Sequence, residues 1–157
     1  MARSFEATPK GSPLDAKQLL RMSKVDLDEL FSQSPAGEIP RGRGRGTVLF
    51  APGTPIAQAV AKFAYAIAWR GKVFNQQRED LLNIVTPFGV QAIRARVYRD
   101  PSWIDQRECI VLDYSQTSRV ARWIRDEIRA VAPGVYLGQV FWSRSRILRF
   151  ALAFPAE

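Results

Sequence analysis

Histidine is absent from this 157-residue chain, and cysteine occurs once, as Cys109. Without histidine there is no Ser-His-Asp or Cys-His catalysis, no zinc site built on His and no His-ligated haem. A single cysteine excludes an intrachain disulfide and any CxxC site. No run of about 18 apolar residues exists, so no transmembrane segment is expected. Residues 1–12 have no apolar core of a secretory signal, and cytoplasmic residence is the expectation. A phosphate loop is missing too: the R-G-R-G-R-G run at residues 41–46 lacks the G-K-[ST] ending and a following helix. No cofactor or metal is expected.

What remains is ordinary for a globular protein, with 46% hydrophobic and 24% charged residues. The length suits one domain. Lys plus Arg total 23 against 15 Asp plus Glu, a net charge of +8, and eighteen of the cations are arginine.

Residues 1–13 read as a flexible tail, and residues 14–157 as a single domain with a helical segment over 14–33. Leu14, Leu19 and Leu20 edge a first short helix. Asp26 and Glu29 form a D-x-x-E capping pattern for a second, with Leu27, Leu30 and Phe31 behind it. Residues 34–46 break the helix, and Arg41, Arg43 and Arg45 with Gly42, Gly44 and Gly46 read as a solvated loop leading to a short strand at 47–50. Thr54-Pro55 starts a helix over 55–69, with Ile56, Val60, Phe63 and Ile67 on one stripe.

Beyond residue 70 the period becomes two. Strands are expected at 70–75, 80–86, 90–98, 108–114, 135–142 and 146–154. In 90–98, Gln91, Ile93, Ala95 and Val97 point to the core, and Arg94, Arg96 and Tyr98 to water. In 146–154, Leu148, Phe150, Leu152 and Phe154 share one face. Ser143, Arg144 and Ser145 form a hairpin turn, and Pro133-Gly134 another. Residues 117–132 fit both a helical stripe and a strand; a short helical turn at 117–122 followed by a strand over 124–131, paired with 135–142, is favoured. The fold class is therefore mainly β (α+β): an eight-stranded antiparallel barrel with N-terminal helices, and one helix between the first two strands placed to cover an open end.

Three stretches resemble small bacterial proteins with a lipocalin-like, calycin-type barrel: W-x-G-K-x-F (Trp69, Gly71, Lys72, Phe74), V-L-D-Y (Val111 to Tyr114), and the run from Arg125 to Gly138. The pattern is also loosely similar to the GXWXG-type barrel family, although the sequence Ala68-Trp69-Arg70-Gly71 lacks that motif's first Gly. The resemblance spans residues 40 to 154. It implies a barrel that binds an apolar small molecule and transfers no catalytic residues.

Two sets of residues carry the functional reading. Asp113, Asp126 and Glu127 converge if their strands are neighbours, and a carboxylate raised in pKa by an apolar barrel could act as a general base. The competing reading is an ion-pair network with Arg125 and Arg129. Asp126 shares a face with Ile124 and Ile128, so it points inward and needs a partner. Lys72, Asn83, Tyr114 and Tyr136 are the inward polar candidates. The aromatic set can line a pocket or fill a core. The candidate catalytic residues are Asp126, Asp113, Tyr114 and Lys72. The candidate ligand-lining residues are Phe74, Asn83, Ile93, Tyr114, Trp123, Tyr136, Trp142 and Phe150. Cys109 reads as a buried, inert thiol.

The expected function is binding of an apolar small molecule (a lipid, acyl or isoprenoid-like compound) inside the barrel. The alternatives are acid–base catalysis on an apolar substrate, or Arg-driven binding to nucleic acid or anionic surfaces. Nucleic acid is disfavoured, because three Arg-Gly repeats are few and no aromatic alternates with them.

Overall fold

The structure, a computed structural model, describes residues 14–49, 69–85, 90–119 and 121–155. The predicted tail at 1–13 and the predicted helix at 55–69 lie outside these residues, apart from Trp69.

Two short helices come first, α1 (Ala16–Leu20) and α2 (Lys24–Gln33). Asp15 starts α1: its side chain accepts the Gln18 N–H at 2.8 Å, and the Gln18 side chain accepts the Asp15 N–H at 2.9 Å. This reciprocal pair satisfies two backbone donors that the first turn cannot bond internally. Ser23 caps α2 by accepting the Asp26 N–H at 3.1 Å. The predicted Asp26–Glu29 cap is thereby corrected. Asp26 lies inside the first turn, where its carboxylate faces the positive end of the helix dipole.

Eight antiparallel strands follow in a closed barrel, each paired with the next and the last with the first. They are β1 (Gly42–Leu49), β2 (Trp69–Asn75), β3 (Asp80–Val85), β4 (Val90–Pro101), β5 (Glu108–Asp113), β6 (Ile124–Ala132), β7 (Val135–Trp142) and β8 (Ser145–Ala153). The ambiguity at 117–132 resolves to a strand from Ile124, since β6 pairs with β7 along its length. Residues 115–118 make a turn, in which the Thr117 and Ser118 N–H groups donate to the Tyr114 carbonyl. Ser143 and Arg144, at φ 45° and 78°, form a two-residue hairpin loop of the left-handed kind. Ser145 belongs to β8, so the turn is one residue shorter than expected.

The Arg-Gly run is strand rather than loop: β1 begins at Gly42, and Arg43, Gly44 and Arg45 pair with Val73, Lys72 and Gly71 of β2. Period two puts Gly44, Gly46 and Val48 inside and the arginines outside. Glycine is needed inside because the Phe154 ring occupies the space where a Gly44 side chain would stand.

The wall separates two apolar layers. Inside are Phe74, Leu81, Ala95, Val97, Ile110, Leu112, Ile128, Val140, Leu148, Phe150 and Leu152. Outside, Leu49, Val135, Leu137 and Ala151 meet Leu19 of α1 and Leu27 and Phe31 of α2. Fully burying a leucine or phenylalanine contributes about 1.5–3 kcal/mol, which is what holds such short helices in place. Arg129 ties α2 to the wall. It is fully buried and directs hydrogen bonds to the Phe31, Arg107 and Glu108 carbonyls and, bidentately, to the Asp105 carboxylate at 2.7 Å on each arm.

Segment 35–41 crosses one end of the barrel. It is held there by the Arg99 guanidinium on the Gly37 carbonyl, the Tyr136 hydroxyl on the Glu38 carbonyl and the Gln76 amide on the Ile39 carbonyl.

Candidate functional site

Four polar side chains meet inside the apolar barrel. Lys72 of β2 and Asn83 of β3 are cross-strand partners on the inner face. Asp126 enters from β6, opposite Leu112 of β5, and Tyr114 stands two residues beyond Leu112 on the same side. Alternation explains each placement: Lys72 precedes inward Phe74, Asn83 follows inward Leu81, and Asp126 precedes inward Ile128.

Lys72 Nζ lies 3.0 Å from Asp126 Oδ2, 2.6 Å from Asn83 Oδ1 and 2.7 Å from the Tyr114 hydroxyl. Asn83 Nδ2 donates to the Tyr114 hydroxyl at 2.8 Å and to the Ile93 carbonyl at 3.0 Å. Tyr114 in turn donates to Asp126 Oδ2 at 3.2 Å. Lys72 Nζ also sits 5.5 Å from the centre of the Phe150 ring, within cation–π range. Asp126 Oδ1 is buried and accepts no hydrogen bond.

Burial governs the electrostatics. It pushes the Asp126 carboxyl above its ordinary value, against the pull of Lys72 and Tyr114. It pushes the Lys72 amine below its ordinary value, against the pull of Asp126. Burial thus works against the charged form of each group, and the 3.0 Å pairing works for it.

The expected convergence of three carboxylates is corrected. Asp126 is inside and Glu127, one residue on, is outside, because adjacent residues of a strand face opposite ways. Glu127 accepts hydrogen bonds from the Ser102 hydroxyl, the Trp103 N–H and Arg125. Asp113 faces outward and accepts the Tyr98 hydroxyl at 2.8 Å. Burial would raise its pKa, but hydrogen bonds from Ser115 and Tyr98 and the charge of Arg125 outweigh it and hold the carboxyl below its ordinary value.

The ligand-lining candidates divide as well. Asn83, Tyr114 and Phe150 belong to the cluster. Phe74 and Tyr136 are buried toward the end crossed by segment 35–41, where Phe74 floors a half-open depression of about 420 Å³ with Ile39 and Val97. Tyr136 borders a second depression of about 710 Å³ with Phe154, Arg41 and Arg43. Neither depression is lined by the four clustered residues. Ile93 is corrected from an inward residue: it is the extra residue of a β-bulge, at φ 65° and 38% exposed. Trp123 and Trp142 are 52% and 47% exposed. Sequence reasoning missed Asp105 as the partner of Arg129 and Gly138 as the seat of the Phe150 ring. An inward glycine in a buried strand was the available signal for the latter.

Among the described residues no group of His, Cys, Asp and Glu could hold a metal ion, and no helix is long and apolar enough to cross a membrane. No family model and no curated protein matches the chain. A crystal structure of a protein from Thermomonospora curvata is similar, with a TM-score of 0.63 and 18% identity over 87% of this chain and 90% of that one. At that identity the likeness establishes the small barrel fold.

Proposed function

We propose that this barrel holds a small, largely apolar molecule and that Lys72, Asn83, Tyr114 and Asp126 engage its one polar group. The observation that carries the reading is Asp126 Oδ1, an acceptor buried in an apolar lining without a hydrogen bond. Burying an ion pair seldom adds stability over apolar residues of equal volume, and an unmet acceptor costs about 1–3 kcal/mol more. A cluster kept against that cost in an otherwise apolar interior is what a site with a few converging polar groups looks like. The resemblance to lipocalin-like barrels implies the same class of occupant.

Native mass spectrometry of the purified protein, followed by solvent extraction, tests this. A retained small-molecule mass, reduced in an Asp126→Asn variant that still folds, is the expected result. A protein that retains nothing, and that no fatty alcohol, fatty acid or isoprenoid stabilises in a thermal melt, rules the reading out.

The hydrogen bonds of the Tyr114 hydroxyl to both Lys72 and Asp126 favour a second reading, proton transfer on the bound molecule with Tyr114 as relay. It expects turnover of the extracted compound that Tyr114→Phe abolishes. An unchanged compound after prolonged incubation excludes it.

A further inference from the structure

The hydrogen-bonding valences inside the barrel bear on the chemistry of the ligand's polar end. A lysine ammonium has three donors and no acceptor. Those of Lys72 face Asn83 Oδ1, the Tyr114 hydroxyl and Asp126 Oδ2. The Asn83 amide is oriented by its neighbours: its oxygen must face Lys72, so its two donors face Tyr114 and the Ile93 carbonyl. The Tyr114 hydroxyl accepts from Lys72 and Asn83 and spends its one proton on Asp126 Oδ2. Among the described residues every donor in the cluster is engaged. The open valence is an acceptor, Asp126 Oδ1.

The only other buried side chain with unpaired polar atoms among the described residues is Gln139. It lies on the outer face between its register partners Glu127 and Arg149, away from the interior.

From this count we infer that the molecule taken by the barrel presents a neutral hydrogen-bond donor, a hydroxyl or an amide-type N–H, to Asp126 Oδ1. The inference rests on the proposed function and narrows it. A carboxylate is disfavoured, since it brings a second negative charge and two more acceptors to a place that already lacks a donor. An ammonium is disfavoured because Lys72 already balances Asp126, so a cation would leave a net charge in the apolar interior. An ester leaves Oδ1 as it was.

The test is a binding comparison at fixed chain length on the full protein. One set is octanol, octanamide, methyl octanoate, octanoate and octylammonium; a second is farnesol, methyl farnesoate and farnesoate. Affinity is read by quenching of intrinsic fluorescence. The alcohol and amide are expected to bind about tenfold or more tighter than the matched ester, the range of a hydrogen bond to a charged acceptor, with the carboxylate weakest.

Asp126→Asn supplies the reciprocal arm. Lys72 and Tyr114 will hold its amide oxygen, which turns the amide nitrogen to the former Oδ1 position and makes it a donor. The preference should then pass to the ester. If that variant does not fold, the ranking in the native protein decides alone. Equal binding of alcohol, ester and carboxylate, or tightest binding of the carboxylate, overturns the inference while leaving a ligand-binding barrel. No binding by any member of either set removes the proposed function and this inference with it.

Discussion

Phe150 lies with its ring across Gly138, its register partner on β7, in the space where a side chain would otherwise stand. The ring also closes over Lys72 at 5.5 Å, so one close approach of ring to backbone supports both the packing and the polar cluster. Gly138→Ala should therefore overfill the interior and cost about 1–3 kcal/mol. Urea unfolding measures this, and Phe150→Leu in the same chain should recover part of the loss. A Gly138→Ala protein as stable as the parent contradicts the packing described.

The Lys72–Asp126 pair makes a second prediction. Lys72→Met strands a buried carboxylate and should cost about 3–5 kcal/mol. Joining it with Asp126→Leu removes both charges, and the double variant should be more stable than Lys72→Met alone. A double-mutant cycle in urea reads the coupling, and strict additivity speaks against an interacting pair.

Asp105 sets a pH window. Hydrogen bonds from Arg129 hold its carboxyl at about 2, below an ordinary 3.8. A depressed pKa favours the folded state in full above the ordinary value and loses that contribution as pH falls from 3.8 toward 2. Asp105→Asn should thus lower the urea midpoint near neutrality, and the gap from the parent should close across that acid range. A gap that stays constant into acid contradicts the Arg129 link.

Cys109 is fully buried, and its thiol donates to the Asp100 carbonyl at 3.4 Å. Burial pushes its pKa up to about 12, so almost no thiolate exists near pH 8. Iodoacetamide should leave the native protein unlabelled and modify it fully in urea. Rapid native labelling would place this thiol elsewhere.

The strands from residue 70 on were legible because period two marks them directly, although β6 fitted a helical stripe as well. β1 was legible only over residues 47–49, since its earlier inward position, Gly44, has its space filled by the Phe154 ring of another segment. A pattern read along the chain registers arginines there and no core. The bulge at Ile93 was invisible for a related reason: one inserted residue changes the face without changing the composition. At the cluster, Asp126 was legible as inward from Ile124 and Ile128; of its four candidate partners Lys72, Asn83 and Tyr114 meet there, while the Tyr136 hydroxyl donates to the Glu38 carbonyl instead. The supposed meeting of Asp126 with Glu127 was an error that strand geometry alone could have removed. Arg129 was misread because its partner Asp105 lies in the loop between β4 and β5, where no periodicity reports position.

The hydrogen-bonded seam between β1 and β8 joins residues 45–49 to residues 149–153, the first strand of the barrel to the last. During synthesis, a polypeptide that has completed β1 through β7 still carries two bare strand edges, and only residues 145–153 can cover both. Such long-range closure makes assembly slow and leaves the growing chain prone to sticking to its neighbours until the last strand emerges. Cells producing a form cut before Ser145 should accumulate it as aggregate, for the seven remaining strands would then be an open ribbon in search of an eighth.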